Sequence, residues 1–351
     1  MRRTILLPAS VGLALLLACA VAILAALASA PTATAASIDH GASFATRCDF
    51  SHRAQVDPIR VPGSPSGHMH DFFGNNSTDA NSTYRSMTAG GATTTCSRPE
   101  DTAGYWIPTV SWRRASTGKL TTLKATRGVF YYRAGLKDYR TVQPFAPDLR
   151  HINDQRITWF CGINDNGVGS ATPPTRCSGG VLSLKIVFPD CVAKGDLNDP
   201  NLQPVPSTSN YRAGALKNEV TGQVIDPDTG QVIDSPDHES HMVRSLLRNG
   251  ARVCPSAYPI PVPTLTVNIS FPMPTTSGTV VLASDQPGDL PGASNHVDLW
   301  NTWNQDAPLN LNPPDGRSYG GLNALVKHCI NEVPPDQVRP VECRAPSATG
   351  S

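Results

Sequence analysis

Neither sign of charge dominates this chain, and little of it is charged at all: Asp, Glu, Lys and Arg make up 16% of 351 residues, with 29 basic against 28 acidic. Neither sign forms a long run, so there is no electrostatic footprint for nucleic acid or for an anionic membrane surface. Nine cysteines include no C-x-x-C pair, which removes the zinc-knuckle reading. Phosphate-cradling glycine loops and dinucleotide fingerprints are missing. So are the G-x-S-x-G elbow of serine hydrolases and the H-E-x-x-H string of zinc proteases. Aromatic residues are only 6% of the chain and helical periodicity is scarce, whereas 32 Pro and 28 Gly mark a loop-rich protein built on short strands.

One long apolar run exists. Arg2 and Arg3 precede a charge-free stretch from Ile5 to about Leu27, followed by Ala28-Ser29-Ala30, a small-x-small cleavage pattern. This predicts a secretory signal over residues 1–30, and secretion; the alternative is a membrane anchor, since the run is long enough to span a bilayer. An Ala/Thr/Ser-rich flexible leader is expected over 31–47, and no membrane association after cleavage. Loss of Cys19 leaves eight cysteines, spread singly, which in an oxidising compartment reads as four disulfides. The pairing is open, with Cys161–Cys177 and Cys329–Cys343 as short-loop candidates.

The fold class expected is mainly β, an antiparallel sandwich or distorted barrel with long loops and a C-terminal helix. The segments "YWIPTVSWR", "KLTTLKATRGVFYYRAG", "RITWFCG", "VLSLKIVFPDC", "TLTVNISF" and "GTVVLAS" each carry a β-type run bounded by Gly, Pro or Asp. In "GLNALVKHCINE" the residues Leu322, Leu325, Val326 and Cys329 recur at i, i+3, i+4 and i+7, one apolar helical stripe, with His328 off it. Residues 48–332 read as a single domain, followed by a tail over 333–351. Within it, about 192–235 reads as an insertion hanging off the core, because "TGQVIDPDTGQVID" repeats a six-residue unit around a turn, as a hairpin or duplicated loop would.

The chemistry concentrates in three windows. There are nine histidines, and five of them lie in "GHMHDFFGN" (His68, His70, Asp71), "SPDHESHM" (Asp237, His238, Glu239, His241) and "NHVDLWNTW" (His296, Asp298). In an extended segment His68 and His70 project to one side, and on a helical turn His238 and His241 do the same. Neutral imidazoles with carboxylates suit a divalent metal ion such as zinc, manganese, iron or copper, so His68, His70, His238, His241 and His296 are candidate ligands. An open position on the ion would activate water, with Glu239 or Asp237 as base. A metal-free reading pairs two of Asp71, Asp237 and Asp298 for glycoside cleavage. Phe72, Trp300 and Trp303 (with Phe73) would then offer stacking faces to sugar rings. The bland alternative is that these side chains brace turns and fill the core.

The blocks "VDPIRVPGSPSGHMHDFFGN", "TCSRPEDTAGYWIPTV", "SPDHESHM", "CPSAYPIPVPTLTVNISFP" and "NHVDLWNTWN", in this order, resemble the domain-of-unknown-function family nineteen-ninety-six, a family of secreted bacterial and fungal proteins. The likeness covers about residues 48–332. It implies a single extracellular domain, here taken as a monomer, associated with polysaccharide or cell wall, and it carries no established reaction. The family's histidine motifs fall on His68 and His70, on Asp237, His238 and His241, and on His296 and Asp298. Between Cys191 and Ser235 this chain departs from the short connection usual in the family. The resulting expectation is a glycan-active hydrolase, with a non-catalytic glycan-binding or wall-associated protein as the alternative.

Overall fold

The expected β runs become strands, and ten of them build two five-stranded antiparallel sheets. The computed structural model describes residues 41–135, 137–163, 169–238, 241–311 and 320–344. In chain order the ten framework strands are β1 Ser43–Cys48, β2 Phe50–Val56, β3 Pro65–Gly74, β4 Gly104–Pro108, β5 Arg127–Arg133, β6 Arg150–Asn153, β7 Ile157–Cys161, β8 Val181–Val187, β9 Thr264–Pro272 and β10 Val297–Trp300. One sheet runs β1-β5-β9-β8-β7, the other β2-β3-β4-β10-β6. Among the described residues no closed barrel forms.

Strand alternation explains the packing. Along β9, Leu265, Val267, Ile269 and Phe271 are buried, facing Phe73, Tyr105, Ile107 and Leu299 of the second sheet within one continuous core. Aromatic contacts bridge the two layers: Tyr105 meets Phe130 at 4.1 Å between ring centroids and Phe73 meets Phe130 at 6.4 Å. The opposite face of the second sheet carries a separate, smaller apolar cluster of Ile59, Phe72, Met87, Trp106, Ile152 and Trp300. Because β3, β4 and β10 pair in the register Phe72↔Trp106↔Asp298, with Ile152 beyond, these residues form one lateral row on that outer face.

Several sequence expectations change here. The leader expected over 31–47 ends earlier, because Ser43–Cys48 is a framework strand whose Phe44 is fully buried against Tyr132 and Trp303. The tail expected from 333 is anchored through Arg344: Cys343 bonds Cys329, and the buried Arg98 guanidinium donates to the carbonyls of Glu342 and Arg344. Nor does the 192–235 segment hang off the core. Its repeat forms the expected hairpin, with Val224↔Asp234 and Ile225↔Val232 as partners. Yet Val224 and Ile233 sit in the main core, and the Gln231 carboxamide accepts from Ala146 N–H while donating to the Pro144 carbonyl. Amide hydrogen bonds and apolar burial weld the insertion down.

All eight cysteines pair, as Cys48–Cys96, Cys161–Cys177, Cys191–Cys254 and Cys329–Cys343, including both short-loop candidates. The apolar stripe near the C-terminus is helical over Leu322–Val326 and continues as a π turn over Lys327–Asn331, with Leu322, Leu325, Val326 and Cys329 buried as expected. Among the described residues no helix is long and apolar enough to cross a membrane. The signal segment 1–30 lies outside the described residues.

Candidate metal centre

Two of the three histidine windows meet on the outer face of the second sheet. On β3 the period of two puts His68, His70 and Phe72 on that face; His296, two residues before Asp298 at the start of β10, projects the same way. Strands β3 and β10 are not neighbours, since β4 runs between them. Opposite His70 stands Pro108, the last residue of β4, and the imidazoles of the flanking strands converge beyond it. The hairpin from β2 into β3 then adds Asp57. One ligand atom each from His68, His70 and His296 lies within 4.8 Å of the others, and the same holds for Asp57, His70 and Asp298.

Backbone carbonyls set the tautomers. His70 Nδ1 lies 2.9 Å from the Val56 carbonyl and His296 Nδ1 lies 3.2 Å from that of Ser294. A carbonyl only accepts, so both Nδ1 atoms carry the hydrogen and both Nε2 atoms carry a lone pair. Those two Nε2 atoms face each other at 3.2 Å. Two lone pairs at that distance repel unless a cation lies between them. Ligand atoms on one tetrahedral ion with bonds of about 2.0–2.1 Å stand about 3.3 Å apart, which is the spacing found here. His296 Nε2 is 3.6 Å from Asp298 Oδ2, compatible with the same sphere. His68 Nε2 is buried without a hydrogen-bond partner.

The electrostatics keep the imidazoles neutral. Burial, then the positive charge His296 and His68 would carry, push His70 down to about 2. Burial likewise takes His296 to about 4, against the Ser294 carbonyl, and lowers His68 against the pull of Asp57. Burial raises Asp57, opposed by the N–H groups of Arg60 and Ile59 and by the charges of Arg60 and His238. His70 and Asp298 are fully buried and form the floor, while His68 and His296 are partly exposed and form the rim. Such a centre would leave an ion with an approach from solvent.

The other predicted site residues go elsewhere. Asp71, one position from His70, points through the sheet to the core face, where it holds Arg53 by two contacts of 2.6 and 2.8 Å and accepts from Thr109. The stacking faces expected of Phe72, Trp300 and Trp303 are not available, because all three are buried. Phe72 lies between His52 and Trp106; Trp300 donates to Asp148 at 2.6 Å; Trp303 donates to the hydroxyls of Tyr132 and Tyr105. Even the Asn of "WNTWN" is structural, since Asn301 donates to the carbonyls of Phe145 and Ala146.

The second window forms its own cluster beside the edge strand β6. His238, in the left-handed region at φ 58, binds Asp234 through Nδ1 at 2.6 Å. His241 packs edge-on against His151 with centroids 5.4 Å apart. Asp237 is exposed and accepts from Ser235, and Glu239 lies outside the described residues. Among the described residues of this window, no ligand atom falls in the two clusters above, although the charge of His238 is felt at Asp57. A further Cys48, Cys96 and Asp101 grouping cannot take a metal, because its sulfurs are joined in a disulfide.

Sequence reasoning missed Asp57 and His151. Asp57 stands in the block "VDPIRV" beside a proline, the usual mark of a turn carboxylate, and it does cap its own turn by accepting from Ile59 and Arg60. Only the β2–β3 pairing brings it to His70.

The family described as Domain of unknown function (DUF1996) matches residues 57–219 and 205–303, and the chain belongs to that family. No curated protein matches, and no solved structure matches.

Proposed function

We propose that this family member is an exported protein that holds one divalent metal ion on His68, His70 and His296, with Asp298 and Asp57 beside them, and hydrolyses an extracellular or cell-wall polysaccharide there. The observation that carries the metal assignment is the pair of carbonyl-fixed imidazoles whose lone pairs face at 3.2 Å. Export is supported by four disulfides and by the signal-like N-terminal sequence. The polysaccharide comes from the family resemblance.

When bound, the ion would supply Lewis acidity and a water of lowered pKa. The residues around it have separate tasks. The Val56 and Ser294 carbonyls orient the rings of His70 and His296, which is what second-shell partners do for metal ligands. Whichever of Asp57 and Asp298 does not ligate stands close enough to accept a proton. The metal-free alternative of an Asp pair has less support: Asp71 faces the core, and Asp298 is too buried to flank a sugar.

The test is metal content, measured without chelators on protein lacking a polyhistidine tag, followed by reducing-end release from a polysaccharide panel. About one ion per chain, lost in His70→Ala, with product release that follows metal loading, supports the reading. No bound ion would overturn it. An ion with sugar binding but no product would leave the non-catalytic, wall-associated protein.

A further inference from the structure

The segment from Met242 to Tyr258 holds three arginines and no carboxylate, a local excess that the near-neutral balance of the whole chain conceals. Its middle is a hairpin, Leu246–Arg248 against Ala251–Val253, which forms a two-stranded sheet of its own. Asn249 and Gly250 take φ values of 50 and 79, the left-handed pair that a tight two-residue turn requires.

Two strands alone are marginal in water, and this pair is fixed at its base. Ser245 donates to Asp190 from its N–H and its hydroxyl at 2.7 and 2.9 Å, Cys254 bonds Cys191, and Arg252 donates to the Ser245 carbonyl. Beyond that base the hairpin is left to solvent. Leu246 and its cross-strand partner Val253 share one face and are 45% and 40% exposed, while Leu247, on the other face opposite Arg252, is 61% exposed. Neither face serves as core.

Cations surround these aliphatic side chains. Arg248 is exposed and Arg252 half-buried on the hairpin itself, and the charges that reach Arg244 at its foot are those of Arg156 and Arg252 against Asp154 and Asp190. Asp190 is buried and held by Lys137 at 2.6 Å, which leaves Arg156, Arg244, Arg248 and Arg252 against Asp154 alone among these groups.

The combination of charge and apolar tips selects the partner. An anionic sugar polymer would engage the arginines but leave three aliphatic side chains wet. A stable protein interface uses about 20–30 residues a side, against the eight of Leu246–Val253. A lipid surface needs no wide patch: aliphatic tips enter the boundary region while flanking arginines meet headgroup phosphates.

We infer that this hairpin docks the protein, weakly and reversibly, on a lipid surface that carries anionic headgroups. The docking does not depend on the metal chemistry proposed above, and it replaces the expectation of no membrane association, which rested on whole-chain charge. Co-sedimentation of the protein without its signal segment, residues 31–351, would use vesicles of equal parts phosphatidylglycerol and phosphatidylcholine, with phosphatidylcholine alone as the neutral probe. The mixed vesicles should bind, and the neutral ones about tenfold more weakly or less. Arg248→Gln should weaken binding to the mixed vesicles about fivefold and Leu247→Ser about tenfold, both with the melting temperature of the wild type because both positions are exposed. His70→Ala should leave it unchanged. Failure of the mixed vesicles to bind overturns the inference. So does full binding by Leu247→Ser, which would make the contact a simple polyanion site. A dimer of lipid-free protein that Leu247→Ser disperses, seen by sedimentation velocity, would also overturn it and give the hairpin to a second copy of the chain.

Discussion

Two groups of buried imidazoles stand beside one sheet, and they differ in what surrounds them. At the His70 centre the rings of His70 and His296 are each held by a backbone carbonyl, their lone pairs face each other and a carboxylate, and the rim is open. Beside β6, His151 and His241 are sealed, and their surroundings are already neutralised: Arg150 contacts Asp148 at 3.0 Å and is sandwiched between Tyr211 and Trp300, each 4.1 Å away. The same residue type therefore forms an open group, proposed above as a ligand set, in one place and a structural wedge in the other. Histidine count alone could not distinguish them; tautomer, access and the local charge balance do.

Substitution should pull the two groups apart. His70→Ala has the largest expected effect: a loss of divalent-ion affinity of at least about a hundredfold, read by metal analysis and by titration of the apo-protein. Ion stoichiometry in His241→Ala should be unchanged. Equal ion loss in both variants would erase the distinction between the groups.

Stability should respond in the opposite sense. Asp148→Asn removes the nearer of the two carboxylates around the buried Arg150 guanidinium, leaving only Asp234 at 3.8 Å, and should cost about 3 kcal/mol in denaturant unfolding without altering metal content. Asn tolerates the left-handed φ of 69 at this position, so the loss reports charge rather than backbone strain.

Acid should act on the sealed group in a defined window. Burial pushes His241 down to about 4, with Asp234, Asp237 and the Arg150 carbonyl opposing and His238 assisting. An unfolded imidazole titrates near 6.5, so between those values the unfolded chain binds more protons. The stability that His241 contributes as a neutral ring is complete above about pH 6.5 and falls toward pH 4, by up to about 1.4 kcal/mol per pH unit. His241→Asn should flatten the pH dependence of the unfolding free energy over that window relative to wild type. An unchanged slope would mean that His241 can take its proton without opening the packing.

The smallest effect belongs to His328, whose partly exposed ring meets Glu342 at 2.8 Å. His328→Ala should shift stability by less than about 1 kcal/mol, the usual worth of a surface pair, and leave ion binding unaltered. A larger change would make this pair a true anchor for the C-terminal segment.

Much of the fold was readable because local rules carried it. Alternating apolar residues in "TLTVNISF" face the core as β9, the 3–4 stripe of "GLNALVKHC" turns into a buried helix, and singly spaced cysteines pair. The site was legible in halves. His68 and His70 share a face by strand periodicity, and His296 with Asp298 likewise, but Asp71 looked equally eligible and points the other way. For Trp300 and Trp303, set among asparagines, the sequence left both a stacking face and a core position open; indole N–H bonds to Asp148 and to buried tyrosines make them core. Asp57 carried no signal beyond that of an ordinary turn.

By itself the sequence determined the β class, the disulfide count, the helical stripe and which side chains along each strand share a face, because those follow from residue propensities and from periods of 2 and 3.6. Only the tertiary structure decided which windows meet: strand order puts β3 and β10 on either side of β4, and the β2 hairpin swings Asp57 toward them. Such contacts depend on the register between segments more than 200 residues apart, and no local pattern encodes it.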